Sequence, residues 1–324
     1  MSSVQETYLK AIADAIREKE GSSDPILANE FAARILALQV VKKMEWVAAT
    51  CKAICQRSVA FGNGKFVTIP GDPSITTALY STDGINWFET TVPYASSWYD
   101  LTYGNGKFVA VPNSNNNEYG MYSTDGINWV KTNMKFYTYW QHVCYGNGRF
   151  VAMGGGGSGD PRIAYSSDGI NWIFQVSNYP LGTIIFGNGK FITFASSKFR
   201  YSTDGIEWSD ATEFAGNYFD VLTYGDGKYV ALDAGTNVGA YSTDGINWTK
   251  CTLPVTANWK SVCYGNGLFI AVAYTTNTAI YSKDGINWYT IVMPKSAGWS
   301  SVAYGDGKFV AMPWNSSSYA YLKW

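Results

Sequence analysis

The chain has 324 residues, of which 46% are hydrophobic, 16% aromatic and 15% charged, and its formal net charge is -1. This composition is typical of a globular protein with a substantial core and excludes a disordered chain. Because the charges nearly balance, the molecule as a whole does not attract phosphate backbones or anionic lipids, so we expect no nucleic-acid partner. No apolar run approaches the length that crosses a bilayer, so we expect no membrane insertion either.

The N-terminal region has the spacing of a helical hairpin. Apolar residues recur every three or four positions in two segments, namely Tyr8, Ile12, Ala15 and Ile16 in the first and Phe31, Ile35 and Leu38 in the second. The letters GSSDP between them are typical of a turn. Residues 1–43 are therefore predicted to form a small α-helical hairpin. It would dock the protein to a partner or to sister chains, or simply cap one face of the following domain.

A glycine-rich signature follows and recurs along the rest of the chain. It reads FGNGKF at 61, YGNGKF at 103, YGNGRF at 145, FGNGKF at 186, YGDGKY at 224, YGNGLF at 264 and YGDGKF at 304. These seven copies are 38 to 42 residues apart, which is the period expected of a four-stranded propeller blade. Asn-Gly and Asp-Gly between alternating apolar residues predict tight β-hairpin turns.

A second signature lies between successive copies of the first. YSTDGINW stands at 80, 122 and 241, with variants at 165, 201 and 281. In such a turn the Asp carboxylate accepts backbone N–H bonds and Gly supplies the unusual backbone angle. Because the turn is repeated six times, its aspartates are predicted to build the fold and not to catalyse; they are Asp83, Asp125, Asp168, Asp204, Asp244 and Asp284.

The last repeat lacks this second turn and the strand after it. The stretch EWVAAT at 45–50 aligns with NWFETT at 86, so it is predicted to supply the missing strand. The expected fold class is therefore all-β. We predict a seven-bladed β-propeller of four-stranded blades over residues 44–324, closed by the N-terminal strand and preceded by the α-helical hairpin.

These motifs resemble known families. The YGNGKFVAV and YSTDGINW units resemble the Asp-box, or BNR-like, repeats of sialidase-like propellers, although here Gly follows Asp directly. The letters YLKAIADAIREKEG and ANEFAARILAL resemble a segment near the start of tail-associated proteins of phages and prophages. The N-terminal letters MSSVQETYLK contain no basic region followed by an apolar stretch, so we expect a chain made in a bacterial cytoplasm without a signal peptide. The second resemblance implies assembly into a virion tail and docking to phage structural proteins through residues 1–43. A homo-oligomer is also an expectation.

The loops that differ between repeats are predicted to form the recognition face, because fixed turns build a fold and variable loops recognise. They are rich in aromatic residues, which suit a saccharide that stacks on rings and meets polar partners. The candidate ligand-binding residues are Trp98, Tyr99, Tyr137, Tyr139, Trp140, Tyr179, Phe219, Trp259, Trp299 and Trp314. Four of these tryptophans recur at one position of the repeat, so packing between blades is an equal alternative for them.

Catalytic chemistry finds little support in the sequence. His142 is the sole histidine, and the arginine motif of sialidases is absent. We therefore expect no enzyme, no catalytic residue, no metal and no cofactor. The favoured function is a lectin-like propeller that recognises a cell-surface glycan as a phage receptor-binding protein. The alternatives are a propeller that binds another protein and a glycosidase using two of Asp100, Glu118, Asp160, Glu213 and Asp220.

Overall fold

The computed structural model describes Asp14 and residues 44–51, 56–114, 119–134, 138–155, 161–177, 182–314 and 316–323. The chain divides into two units, and almost everything described below belongs to the unit Trp46–Leu322. The helical hairpin expected over residues 1–43 lies outside the described residues except for Asp14, which is helical. The boundary expected after residue 43 stays a prediction. No helix of the described part is both long and apolar enough to cross a membrane.

The described residues form 26 β-strands. The first half comprises β1 (Glu45–Thr50), β2 (Gln56–Gly62), β3 (Lys65–Pro70), β4 (Thr77–Ser81), β5 (Phe88–Thr91), β6 (Trp98–Gly104), β7 (Lys107–Ser114), β8 (Tyr119–Ser123), β9 (Val130–Asn133), β10 (Thr138–Gly146), β11 (Arg149–Gly155), β12 (Pro161–Ser166) and β13 (Ile173–Val176). The second half comprises β14 (Ile184–Gly187), β15 (Lys190–Ala195), β16 (Lys198–Ser202), β17 (Ser209–Glu213), β18 (Phe219–Gly225), β19 (Lys228–Asp233), β20 (Thr236–Ser242), β21 (Thr249–Ala257), β22 (Trp259–Gly265), β23 (Leu268–Ser282), β24 (Tyr289–Gly305), β25 (Lys308–Pro313) and β26 (Ser318–Lys323).

The strands pair into five sheets, so the expected fold class is wrong as stated. Three sheets have four strands each: β2 to β5, β14 to β17 and β18 to β21. The strands β6 to β13 join into a sheet of eight strands, and a sheet of six has the order β1-β26-β25-β24-β23-β22. The chain from residue 44 onward, where described, is all-β, but its strands do not form seven separate four-stranded blades.

The physical reason is that segments expected to be loops continue the ladders. β10 pairs with β11, and its first residues also pair with the end of β7, Thr138 with Ser114 and Tyr139 with Asn113. This contact merges two repeats into one sheet. In the six-stranded sheet, β23 has 15 residues and β24 has 17. Each is one continuous strand where most other repeats have two strands separated by a loop. β1 lies next to β26 in the same sheet.

The glycine-rich turns have the backbone that the sequence predicts. In the first of them Asn63 has φ 46° and Gly64 has φ 70°, and the six other turns repeat this pair of positive angles. Two successive residues with positive φ form the hairpin turn whose twist matches that of the flanking strands. The Asn63 side chain also donates from Nδ2 to the Thr124 carbonyl at 3.3 Å, which links one repeat to the next.

The predicted structural role of the repeated aspartates is confirmed. Asp83 Oδ1 accepts the backbone N–H groups of Ile85 at 2.8 Å and Asn86 at 2.7 Å, and Asp83 Oδ2 accepts the Asn86 side-chain amide at 2.7 Å. The Ser81 hydroxyl completes the turn by accepting the Gly84 N–H at 2.9 Å. The other five copies repeat the backbone bonds to the Asp carboxylate.

Adjacent repeats pack through an aromatic ring on a glycine. A Cβ on Gly62, the first glycine of its turn, would lie 2.0 Å from the Tyr103 ring of the next repeat. The same contact joins Gly104 to Tyr145, Gly146 to Phe186, Gly187 to Tyr224, Gly225 to Tyr264, Gly265 to Tyr304 and Gly305 to Phe61. The first glycine is therefore required by close approach of a ring, and the second by its positive φ.

Candidate functional site

The candidate site lies on the seven strands that directly precede the glycine-rich turns. We call them the inner strands; they are β2, β6, β10, β14, β18, β22 and the second half of β24. Each contacts the inner strand of the next repeat, and β24 contacts β2.

Six of the inner strands carry a β-bulge at the same place. The register with the partner strand shifts between Gln56 and Ser58, and likewise at the equivalent step of β6, β10, β18, β22 and β24. A bulge leaves one residue unpaired and re-aims its side chain. The six bulge residues are Arg57, Tyr99, Gln141, Asp220, Lys260 and Ser300. In the fourth repeat Gly182 stands at this position and β14 pairs without a shift.

All six bulge residues line one cavity of about 530 Å³, which we call the inner cavity. Its wall also includes Asp100, His142, Asn258, Tyr274 and Trp314. Polar and aromatic groups are thus interleaved around a space large enough for a small ligand. Among the described residues, no group of three His, Cys, Asp or Glu side chains is suited to hold a metal ion.

One wall of the inner cavity is a stack of rings around a cation. The Arg57 guanidinium carbon lies 4.0 Å from the centroid of the Tyr99 ring and 5.1 Å from the ring of Trp314. Trp314 fits there because residue 71 is glycine, on which a Cβ would lie 2.0 Å from the indole. Tyr99 also meets His142 edge-on, with ring centroids 5.9 Å apart. These contacts hold the arginine in one orientation.

Asp100 occupies a position that elsewhere links neighbouring inner strands. The equivalent residues Ser261 and Ser301 accept the backbone N–H of the next inner strand, from Val302 at 3.0 Å and Val59 at 3.1 Å. Asp100 Oδ2 accepts the Val143 N–H at 2.9 Å in the same way. The second, sixth and seventh repeats therefore each form the same kind of hydrogen bond to the next inner strand. Only the second repeat uses a titratable side chain to accept it.

The environment of Asp100 changes its protonation. Burial raises the pKa of Asp100 to about 6, against hydrogen bonds from Val143, Leu101 and Ser58 and the charge of Arg57, which lower it. Its neighbour His142, with Nδ1 3.9 Å from Asp100 Oδ2, has its pKa lowered to about 4 by burial and by the Arg57 charge. Near neutral pH the imidazole is therefore uncharged, and the carboxyl titrates just below neutrality.

The remaining charged groups of the inner cavity are Asp220 and Lys260. Burial raises the pKa of Asp220, while the Lys260 charge and a backbone N–H bond lower it in part. Tyr274 lies nearby in the wall and packs on Gly298, where a Cβ would meet the ring at 2.6 Å. Arg57, Tyr99, Gln141 and Lys260 donate no side-chain hydrogen bond to any residue that the structure describes, so their polar groups are available to a ligand.

The structure separates the residues predicted for ligand binding into three groups. Trp98, Trp140, Phe219 and Trp299 have no exposed surface, so their burial favours the packing alternative. Tyr99, Trp259 and Trp314 line the inner cavity, although Trp259 is itself fully buried. Tyr139 is half-buried outside the cavity wall, and Tyr137 and Tyr179 lie outside the described residues.

The carboxylates considered for a glycosidase are also separated. Asp100 and Asp220 both line the inner cavity. Glu213 lies on β17, where a carboxylate oxygen is 3.7 Å from the Lys198 ammonium, and does not line it. Glu118 and Asp160 lie outside the described residues.

Sequence reasoning missed Arg57, Gln141, Lys260 and Ser300 as site residues. The signal was present, because the residue directly after the recurrent aromatic position differs in every repeat while its surroundings stay constant. Without the bulge, that residue has no evident reason to face the interior.

Comparisons with known proteins bear on the fold. No family model and no curated protein matches the sequence. Among solved structures, the chain resembles a streptogramin B lyase at 11% identity, covering 86% of this chain and 97% of that one with a TM-score of 0.73. It resembles a catalytically inactive virginiamycin B lyase from Staphylococcus aureus with quinupristin at 10% identity, 87% and 100% coverage and a TM-score of 0.75. A computationally designed protein, Ika8, matches at 8% identity, 85% and 98% coverage and a TM-score of 0.57.

The expectation that the chain is not an enzyme is contradicted by this finding, because solved structures that share its fold include lyases. One fold supports many functions, so the architecture gives no ground for excluding catalysis. At identities of 8 to 11% the likeness concerns architecture alone. The broader expectation is confirmed: the chain has a β-propeller fold.

Proposed function

We propose that the protein binds a saccharide of a cell surface in the inner cavity. The observation that carries this proposal is the set of bulge residues. Six inner strands present one side chain each from the same backbone position, and the six side chains are all different. A constant scaffold that displays variable side chains into one cavity is the arrangement expected of a recognition site.

The chemistry of the wall suits a saccharide. Tyr99, Tyr274 and Trp314 offer aromatic surface to the C–H faces of a sugar ring. Gln141, Asn258 and Lys260 offer donors and acceptors to its hydroxyl groups. A single site of this kind binds weakly, so a tail that carries several copies would gain avidity.

The test is a screen of the full chain against glycan arrays and isolated cell walls, with Tyr274→Ala and Tyr99→Ala as variants. Both should weaken binding without lowering the melting temperature much. Tyr218→Ala is the matched control, because Tyr218 is 72% exposed and lies outside the cavity wall. Failure of every glycan and cell wall to bind the folded chain would overturn the proposal and favour a protein partner.

We further propose that the protein is part of a phage or prophage tail and docks to other tail proteins through residues 1–43. The support is the resemblance of that segment to tail-associated proteins. Mass spectrometry of purified particles from the source strain tests it, and absence of the chain from the particles would overturn it. Analytical ultracentrifugation with and without residues 1–43 tests the expected homo-oligomer.

A second candidate function is hydrolysis of the bound saccharide. Two carboxyl groups line the same cavity, and burial raises the pKa of both, that of Asp100 to about 6. A carboxyl group that stays partly protonated near neutral pH is suited to act as a general acid on a glycosidic oxygen while a second carboxylate assists. Release of reducing ends from bound oligosaccharides, lost in Asp100→Ser, would support it. Binding without any release would leave the protein a lectin.

A further inference from the structure

We infer that the inner cavity selects saccharides that carry an anionic group, and that the Arg57 guanidinium binds this group. The inference rests on the proposed binding of a saccharide and names the chemical class of that ligand.

The first support is the geometry of Arg57. Its guanidinium lies 4.0 Å from the Tyr99 ring centroid and 5.1 Å from that of Trp314, so ring faces cover the cation. A cation–π contact forms no hydrogen bond, so it leaves the N–H donors of the guanidinium available to a ligand. Because the rings already restrict the side chain, little further conformational freedom is lost when a ligand binds.

The second support is that no residue in the described part of the chain uses these donors. Arg57 forms no hydrogen bond and no ion pair with any of the residues that the structure describes. Asp100, whose pKa the Arg57 charge lowers, is already engaged: Oδ1 accepts from the Leu101 N–H at 2.9 Å and the Ser58 hydroxyl at 3.3 Å, and Oδ2 accepts from the Val143 N–H at 2.9 Å. An oxyanion of the ligand would accept hydrogen bonds from these N–H donors of the half-buried arginine.

The third support is the charge around Arg57. His142 is uncharged near neutral pH because its pKa is lowered to about 4, so it neither repels nor competes for the anion. Lys260 adds a second cation to the same cavity, and burial raises the pKa of both carboxyl groups in the wall. The cavity therefore combines two basic side chains with two carboxyl groups whose raised pKa values let them take up a proton more readily than usual.

A carboxylate and a phosphate monoester both accept two parallel N–H bonds from a guanidinium, so the shared chemistry is an oxyanion on a sugar. The experiment separates the two sources. Isothermal titration of the full chain compares trigalacturonic acid with its methyl ester, and mannose 6-phosphate with mannose. We expect at least one charged member to bind about tenfold or more tightly than its neutral counterpart, because hydrogen bonds to charged groups are the stronger class.

Variants then assign the preference to a residue. Arg57→Gln should abolish it, and Arg57→Lys should restore only part of it, because lysine keeps the charge and loses the planar fork. Lys260→Gln is the matched control, since it removes the other cation of the cavity; it should keep the preference. Loss of the preference in Lys260→Gln alone would overturn the assignment to Arg57.

The outcomes distinguish this inference from the proposed function. Equal binding of charged and neutral saccharides, still weakened by Tyr274→Ala, would overturn the anion subsite and leave saccharide binding standing. Absence of binding to these saccharides and to every glycan and cell wall in the wider screen would overturn both.

Discussion

The ring of Phe61 lies against the backbone of Gly305, so the first repeat packs on the last in the way that each other repeat packs on its predecessor. The contact leaves no space for a side chain, since a Cβ on Gly305 would lie 2.1 Å from the ring. This single pair joins parts of the chain that are 244 residues apart, as 305 minus 61 shows.

We expect Gly305→Ala to destabilise the fold by about 1–3 kcal/mol, because the Phe61 ring must move out of a packed position. Chemical denaturation measures the change. Gly155→Ala is the control, because nothing lies within 4 Å of a Cβ at Gly155 and its φ is ordinary. Equal loss in the two variants would show that the ring contact does not contribute.

The turn aspartates should make stability depend on acid. Although burial raises the pKa of Asp83, hydrogen bonds from Asn86, Ile85 and Ser81 outweigh it and lower the pKa to about 2. The folded-state pKa lies below the unfolded value, so the stabilisation is present above about pH 4 and is lost as the pH falls towards 2. The pKa values of the other five are also lowered.

Thermal unfolding between pH 2 and 5 measures this dependence. Asp83→Asn keeps an acceptor for the backbone N–H groups and removes one titrating group, so its melting temperature should fall less steeply with acid than that of the native chain. An unchanged slope would contradict the assignment of the acid sensitivity to these turns.

Asp100 should make stability depend on pH in the direction opposite to that of the turn aspartates. Burial raises its folded-state pKa to about 6, above the ordinary value of 3.8, so stability falls as the pH rises through this window. Asp100→Ser should fold normally, because serine makes the same inter-strand link at positions 261 and 301. As the pH rises from 4 to 7, the free energy of unfolding of the variant should increase relative to that of the native chain. A difference in this free energy that stays constant across the range would contradict the prediction.

Anion binding at Arg57 should strengthen as the pH falls from 7 to 5. The groups that line the cavity around it are Asp100, His142, Asp220 and Lys260; of these, Asp100 loses its negative charge in this range and the imidazole stays neutral above about pH 4. Titration of trigalacturonic acid at several pH values, corrected for ligand protonation with the Asp100→Ser variant, measures the effect. The variant should show a flatter profile, and identical profiles would exclude Asp100 as the cause.

Substitutions at the adjacent residues Trp98 and Tyr99 should have different effects, the first on stability and the second on saccharide binding. Trp98 is fully buried, so Trp98→Ala should cost about 3–5 kcal/mol of the free energy of unfolding. Tyr99 is the neighbouring bulge residue and lines the inner cavity, so Tyr99→Ala should reduce saccharide binding while changing stability by much less. Denaturation and binding measured on both variants test this, and a binding defect confined to Trp98→Ala would reverse the assignment.

Much of the local structure is readable from the chain. The Asn-Gly and Asp-Gly turns have the predicted positive φ angles, and the repeated aspartates accept the predicted backbone bonds. Local chemistry suffices there, because a turn of four to eight residues contains all the partners that stabilise it. The division into sheets was not predictable in this way, because the pairing of Tyr139 with Asn113 depends on segments that the repeat pattern leaves undefined.

The site shows the same division. The sequence by itself determined that the chain is built from repeated β-hairpins, which residues form their turns, and that aromatic residues recur at one position of the inner strands. Only the tertiary structure showed that Trp98, Trp140 and Trp299 are fully buried, while the residue after each of them lines the cavity. The physical reason is that successive residues of a strand alternate between its two sides, but pairing with the neighbouring strand decides which side is packed and forms the β-bulge that re-aims the second residue.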